Sequence, residues 1–385
     1  MLMKSIASAL RLLIILHLVF VSLVECAAFA NTASAAPNEA QSSSCVPLFP
    51  FKEGWLGGDA AFSILLPDGR SLWLFGDSFV GSANQTNRRG SKMVRNAIAL
   101  SACDAKTGWD IHYYWRDRHK KVPASFFDSG GADFWYWPGD GFFYGDSVYV
   151  VLWKMKPKPE EKMFFFRTDG AVLAKILNSS ATPDKWQITY FPLLDIPNLV
   201  LSTSAVVQNG YVYLFTLWED DSHGRPMLLA RLPLTGLAEP APHLQYLDRN
   251  KQWRPGFDPE RAYVVMDKGA SELSVRYHQE SKIWVAISGE PVFLSNKIVV
   301  RTASDLDGPW SAMQTIYEIK ELVPSTPGWD KDTFCYAKKE HIEFAADAKL
   351  LITYVCNSYQ FGKLVSNMNL YRPQAVRVHL PESLP

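Results

Sequence analysis

The chain has no surplus of charge: 39 basic and 39 acidic side chains leave its 385 residues formally neutral. A balanced chain sets up no field that would draw it to nucleic acid or anionic lipid, so neither is expected as a partner. Cysteine is scarce, at five residues, and no Cys-x-x-Cys or Cys/His spacing suggests zinc. Gly-rich phosphate loops and a Gly-x-Ser-x-Gly elbow are missing, which removes nucleotide-binding and serine-hydrolase classes. Beyond residue 24 no apolar run is long enough to cross a bilayer. Nowhere does an apolar i, i+3, i+4, i+7 pattern last three turns, which excludes a helical fold.

What is present begins with an address. Lys4 and Arg11 lead into an apolar run from Leu12 to Val24, followed by the small residues of Ala27–Ala36. This is the pattern of a secretory signal, so residues 1–36 are expected to be a signal peptide and flexible lead-in. The exported remainder, 45–385, is expected to be a single catalytic domain and a monomer. Cys26 leaves with the signal, which keeps Cys45, Cys103, Cys335 and Cys356. Four cysteines in an exported chain imply disulfides, and sequence leaves three pairings open.

The mature chain reads as all-β. Short β-branched and aromatic runs such as Ser71–Phe75, Ser147–Trp153 and Tyr211–Leu217 are broken by turns at Pro67–Arg70, Gly145-Asp146 and Asn209-Gly210. The hairpins repeat. Asp59-Ala-Ala-Phe, Asp140-Gly-Phe-Phe, Ser204-Ala-Val-Val, Glu272-Leu-Ser-Val and His341-Ile-Glu-Phe each place a polar residue before a short strand, and a second, aromatic strand follows. Five such units at this spacing predict a five-bladed β-propeller; two β-sandwiches would fit the strands but not the register. Polar insertions near Gly81–Lys92 and Arg116–Asp133 lengthen the first unit. Blade five has about three strands, so Cys45–Phe51 is expected to supply its fourth, with Cys45 bridged to Cys335 or Cys356.

In a propeller the innermost strands converge on one channel, so Asp59, Asp140, Ser204, Glu272 and His341 are expected at one mouth. Close carboxylates raise at least one pKa, which gives a site an acid and a base together. Asp59, Asp140 and Glu272 are therefore the candidate catalytic residues. Asp59 is expected to act as base, beside a Gly-Gly that lets substrate approach. Glu272 is expected to act as acid, while Asp140 orients substrate. Asp77 should lie at the same mouth, with Glu219 and Glu290 in similar positions and Arg95 and Asn96 nearby. Trp135 and Trp137 flank the approach to Asp140 and could stack on a sugar; core packing explains them equally well. His341 faces the channel and completes the candidate substrate-binding set.

The elements Gly57-Gly-Asp59, Leu72-Trp-Leu-Phe-Gly-Asp77-Ser, Arg95-Asn96, Trp137-Pro-Gly-Asp140-Gly and Ala337-Lys-Lys-Glu-His341 resemble the secreted family of domain of unknown function 4185. That family includes the endo-acting arabinan-cleaving glycoside hydrolases of family 183; more distantly, the chain resembles the five-bladed glycosidases of family 43. The resemblance implies a polysaccharide or oligosaccharide substrate, with an arabinan-type furanoside in view, cleaved by paired carboxylates with inversion. It implies no dedicated cofactor, although the family-43 comparison would allow a calcium ion in the channel near His341. The chain departs from family 43 at blade three, where Ser204 stands in place of a carboxylate. A non-catalytic sugar-binding propeller is the alternative, and a lyase or transglycosidase on the same scaffold is a weaker one.

Overall fold

A computed structural model describes residues 45–104, 106–117, 122–131, 133–159, 166–292 and 295–381. The expected signal segment, with Lys4, Arg11 and Cys26, lies outside the described residues. Among those described, no helix is long and apolar enough to cross a membrane.

Five antiparallel sheets form the five blades. Blade one is β1 (Trp55–Leu65), β2 (Ser71–Val80), β4 (Ala97–Asp104) and β5 (Gly108–Tyr114), with the short β3 (Lys92–Val94) paired to the end of β2. Blade two is β6 (Trp135–Tyr144), β7 (Ser147–Pro157), β8 (Phe166–Leu177) and β9 (Gln187–Leu194). Blade three is β10 (Leu199–Gln208), β11 (Tyr211–Trp218), β12 (Met227–Pro233), β13 (Gln245–Leu247) and β14 (Trp253–Pro255). Blade four is β15 (Leu273–His278), β16 (Ile283–Gly289), β17 (Lys297–Ala303) and β18 (Gln314–Glu318). Among the described residues blade five has three strands, β19 (Thr333–Glu340), β20 (Lys349–Ser358) and β21 (Pro373–His379).

The turns fall where their residues require. Asn209 and Gly210 both have positive φ, at 50° and 78°, as a two-residue turn between twisted strands demands. The innermost strands touch in cyclic order, β1 to β6 to β10 to β15 to β19 and back to β1. Apolar side chains from facing sheets fill the spaces between blades, with Phe62, Leu74, Val150, Leu173, Leu214 and Val275 in the largest cluster.

Closure differs from the expectation. Cys45–Phe51 forms no strand, and among the described residues blade five has three. The segment instead lies against blades one and five. Phe49 packs edge-on to Trp73 at 4.9 Å, the Trp109 indole N–H donates to the Leu48 carbonyl at 2.7 Å, and Arg377 of β21 donates to the Cys45 carbonyl at 3.0 Å. The disulfides follow suit. Cys45 joins Cys103 within blade one, and Cys335 joins Cys356 directly across β19 and β20. The expected bridge from Cys45 to Cys335 or Cys356 is thus wrong, because those two already face each other in register. With sequence separations of 58 and 21 between the paired cysteines, loop-closure entropy gives each bridge about 3–4 kcal/mol.

A buried arginine completes the seal between blades five and one. Arg88, from the blade-one insertion, is 2% exposed. Its guanidinium donates to the carbonyls of Leu56, Leu364, Asn367 and Leu370 at 2.5–3.2 Å. The insertion is therefore a latch to blade five, and the polar run that lengthens the first repeat has a structural use.

Candidate active site at the channel mouth

The site grows out of one irregularity. The β1–β2 register breaks between Gly58 and Phe62, so Asp59 falls in a bulge opposite Gly76 and Asp77. Bulges re-aim side chains, and this one turns two carboxylates toward the same space. Ala60 and Ala61, which follow Asp59, adopt left-handed φ of 65° and 58°, a strained conformation held by the surrounding sheet. Gly76 supplies room: a β-carbon there would sit 2.5 Å from Asp59 Oδ1. The preceding glycines do not open a path for substrate, as the sequence suggested. A β-carbon on Gly57 would meet the Tyr371 carbonyl at 2.2 Å, and one on Gly58 would meet Ser78 Oγ at 2.5 Å. Their space is taken by the protein.

Asp59 Oδ2 accepts hydrogen bonds from two tyrosines, Tyr336 at 2.7 Å and Tyr371 at 3.1 Å. Burial, aided by the neighbouring Asp77 and Glu272 charges, raises its pKa to about 8 against the opposing pull of the tyrosines. Among the described residues no cation forms an ion pair with it. Asp77 and Glu272 differ in this respect. Asp77 accepts from Arg95 Nη1 at 3.1 Å and from the Trp137 indole N–H at 2.8 Å. Glu272 Oε1 lies 3.7 Å from Lys339 Nζ. Burial raises both carboxyls, opposed by Arg95 in one case and Lys339 in the other. Lys339 is itself enclosed: it donates to the Ala60 and Ala337 carbonyls and lies 4.4 Å from the Phe62 ring. Burial lowers its pKa, against the opposing charges of Glu272, Asp140 and Asp59.

Of the nine candidate catalytic and substrate-binding residues, six gather here: Asp59, Asp77, Glu272, Arg95, Trp137 and Trp135. Arg95 also lies 4.4 Å over the Trp135 ring. The other three turn inward. Asp140 is 1% exposed; its Oδ2 accepts from the Ala205 amide at 2.9 Å and from Arg276 Nη2 at 3.1 Å, and its Oδ1 from the Gly141 amide at 2.9 Å. Asn96 is fully buried and tied to the backbone of Phe127 and Tyr136. His341 has Nδ1 on Ser63 at 2.6 Å and Nε2 on Thr353 at 2.7 Å, and burial keeps its pKa well below the usual value.

The fivefold register expected from the sequence shifts at blade four. The Ala205 amide donates to Asp140, the Val275 amide to Ser204 and the Glu340 amide to Ser274. Ser274, and not Glu272, is therefore the counterpart of Asp140 and Ser204. A shift of two residues keeps a side chain on the same face of a strand, so alternation alone cannot separate the two choices. Glu219 and Glu290 have local partners, Arg225 at 3.4 Å and Ser295 at 2.6 Å. Tyr336, Tyr371 and Lys339 escaped the sequence reading; starting the inner strand of blade five at Thr333 instead of His341 would have reached the first and last.

The channel does not fit a calcium ion. Among the described residues no three of His, Cys, Asp and Glu converge on one point. Both His341 nitrogens are engaged by hydroxyls, and the Arg276 guanidinium already supplies positive charge beside Asp140.

Comparison with curated proteins returns no match. Among solved structures, a Bacteroides ovatus protein described as a hydrolase shares the fold with a TM-score of 0.66 at 18% identity, over 85% of this chain and 86% of its own. The catalytic domain of the Coprinopsis cinerea family-62 α-L-arabinofuranosidase gives 0.49 at 10% identity, over 86% of this chain and 98% of its own. A xylan β-1,4-xylosidase from Bacillus halodurans gives 0.48 at 10% identity, over 86% of this chain and 54% of its own. The sequence profile that matches is a different one from family 4185: over residues 47–380 the chain belongs to the family described as domain of unknown function DUF5005.

Proposed function

We propose that this protein is an exported glycoside hydrolase that cleaves a polysaccharide by paired-carboxyl catalysis at the channel mouth. The observation that carries the reading is the trio Asp59, Asp77 and Glu272, in which Asp59 is held by two tyrosine hydroxyls while Asp77 and Glu272 lie beside Arg95 and Lys339. Two disulfides suit an oxidising, extracellular setting. The Bacteroides ovatus protein of the same fold is described as a hydrolase, and the motif resemblance points to an arabinan-type furanoside.

Glycosidic cleavage needs a proton for the leaving oxygen and a carboxylate that activates water. Asp59, with a pKa near 8, is the proton donor. Both tyrosine hydroxyls sit on Oδ2, which leaves Oδ1 to carry the proton. Glu272, beside Lys339, is the base: it takes a proton from the water that attacks the anomeric carbon, giving inversion. Asp77, fixed by Arg95 and Trp137, supplies the field that keeps Asp59 protonated. These roles reverse those expected from sequence, because the carboxyl without a cation partner is the one that holds a proton at neutral pH. Asp140, buried against Arg276 and the Ala205 amide, is structural.

Screening against soluble polysaccharides with product mapping tests the activity. Asp59→Asn and Glu272→Gln should each lower turnover by about 10²–10⁴ while the protein stays folded. Wild-type rates in both variants would falsify the assignment. A silent sugar-binding propeller would retain the glycan in the same screen and release nothing.

A further inference from the structure

We propose that the blade-five rim carries a second glycan-contact surface, centred on Tyr359 and Phe361, which holds the substrate chain beyond the carboxyls and gives the protein a preference for polymers. The proposal rests on the reading of the mouth as a glycosidase site. Tyr359 and Phe361 are 41% and 64% exposed, and clustered large apolar side chains at a surface mark contact sites.

What sets these two apart is their continuity with Asp59. Its two tyrosine partners each begin a line of rings. Tyr336 stacks on Phe334 at 5.7 Å and 20°, and Phe334 stacks on Tyr359 at 4.5 Å and 25°. Tyr371 meets Phe79 edge-on at 5.5 Å, and Phe79 meets Phe361 at 6.4 Å. Both lines start at one carboxyl and surface two residues apart. The first line thus runs from Tyr336, whose hydroxyl donates to Asp59, to Tyr359, which is exposed. A sugar presents apolar C–H faces that suit such rings. A single sugar at Asp59 does not reach two rings away, so only a longer chain can touch both ends.

The surface is also held rigid. The Cys335–Cys356 bridge lies one register position from the Phe334–Asn357 pair. Lys363, in the short helix α2 (Phe361–Ser366) that follows α1 (Pro240–His243), binds Asp330 at 2.6 Å and Asp332 at 2.7 Å. The Tyr359 amide donates to the Asp332 carbonyl at 3.0 Å. A surface fixed before binding loses little freedom on contact.

Native affinity gels cast with soluble arabinan, xylan or galactan test this, using full-length exported protein and the Tyr359→Ala/Phe361→Ala double variant. The wild type should be retarded by one polymer, and the double variant should lose at least about tenfold in affinity, equivalent to about 1.4 kcal/mol. On that polymer KM should rise with a smaller change in kcat, while the melting temperature stays near wild type. Equal retardation of both proteins would overturn this inference and leave the glycosidase reading standing. Release of no product and retardation by no polymer would overturn both. A wild-type dimer that the double variant separates would assign the surface to a second copy of the chain and overturn the inference.

Discussion

Replacing Gly76 by alanine tests whether the geometry around Asp59 drives the chemistry. Gly76 does not have positive φ, so alanine brings no backbone strain and acts only through its new carbon. That carbon would lie 2.5 Å from Asp59 Oδ1 and 3.6 Å from its Cγ, with Trp137 Cδ1 at 4.0 Å. Ordinary contact begins near 3.4 Å, so the carboxyl must withdraw by roughly 0.9 Å, the scale on which overpacking costs about 1–3 kcal/mol. Asp59 is short and pinned by Tyr336 and Tyr371, so withdrawal breaks or lengthens those bonds. A displacement of about 1 Å can cost about 10²-fold in rate. Gly76→Ala should therefore fold, melt a few degrees lower, and lose about two orders of magnitude in turnover on the polysaccharide that the wild type cleaves. The pH-rate profile should change as well, because Oδ1 is the oxygen proposed to donate the proton. Wild-type turnover with an unchanged profile would refute the placement of Asp59 at the reacting bond.

The remaining expectations are briefer. In the unfolded chain Asp59 ionises near 3.8 and in the folded protein near 8, so between these values the native state binds the extra proton and stability falls as pH rises. The limit is about 1.4 kcal/mol per pH unit, reduced by the partial exposure of the side chain. Asp59→Asn does not titrate, and its melting temperature should gain on wild type from pH 4 to pH 8; a constant gap would contradict the raised pKa. The same raised pKa predicts that wild-type activity declines as pH climbs through about 8, on the limb that Asp59→Asn lacks. Arg276→Met strands Asp140 and should cost about 3–5 kcal/mol in urea unfolding, whereas Asp59→Asn should not; equal costs would contradict the division between a structural and a chemical carboxyl. Arg88→Met leaves four carbonyls without their donor and should cost about 3 kcal/mol or more, and a neutral result would remove the latch between blades five and one.

Part of this was legible in the residues. Asp77 follows Phe75-Gly76 at the end of an aromatic strand, and its return to the mouth of Asp59 is a consequence of a hairpin whose turn, Pro67–Arg70, is local. Asp140 was legible as an inner-strand residue but not as a buried one. Its depth depends on Arg276, from another blade and 136 residues away, and no local pattern records that distance. Lys339 stood inside a motif already noted for His341. Which of the two faces the carboxyls depends on the break in the β19–β20 register between Tyr336 and Lys339.

The sequence by itself determined the all-β class and the count of blades, because strand alternation and turn chemistry act over a few residues and repeat visibly; it misplaced the inner strand of blade five, since Ile342–Phe344 is a short 3-10 turn after β19. It also marked Asp59, Asp77 and Glu272 as neighbours, although Asp59 and Asp140 lie within their inner strands and not at the openings expected, His341 follows β19, and Asp140 is buried with Arg276. Tertiary structure alone decided which carboxyl holds a proton, how the cysteines pair and what closes the ring. Each of these depends on the difference between burial and contact with a partner from a distant segment. Asp59, Asp77 and Glu272 look alike as isolated letters; Arg95, from the link between β3 and β4, and Lys339, from β19, make them chemically different.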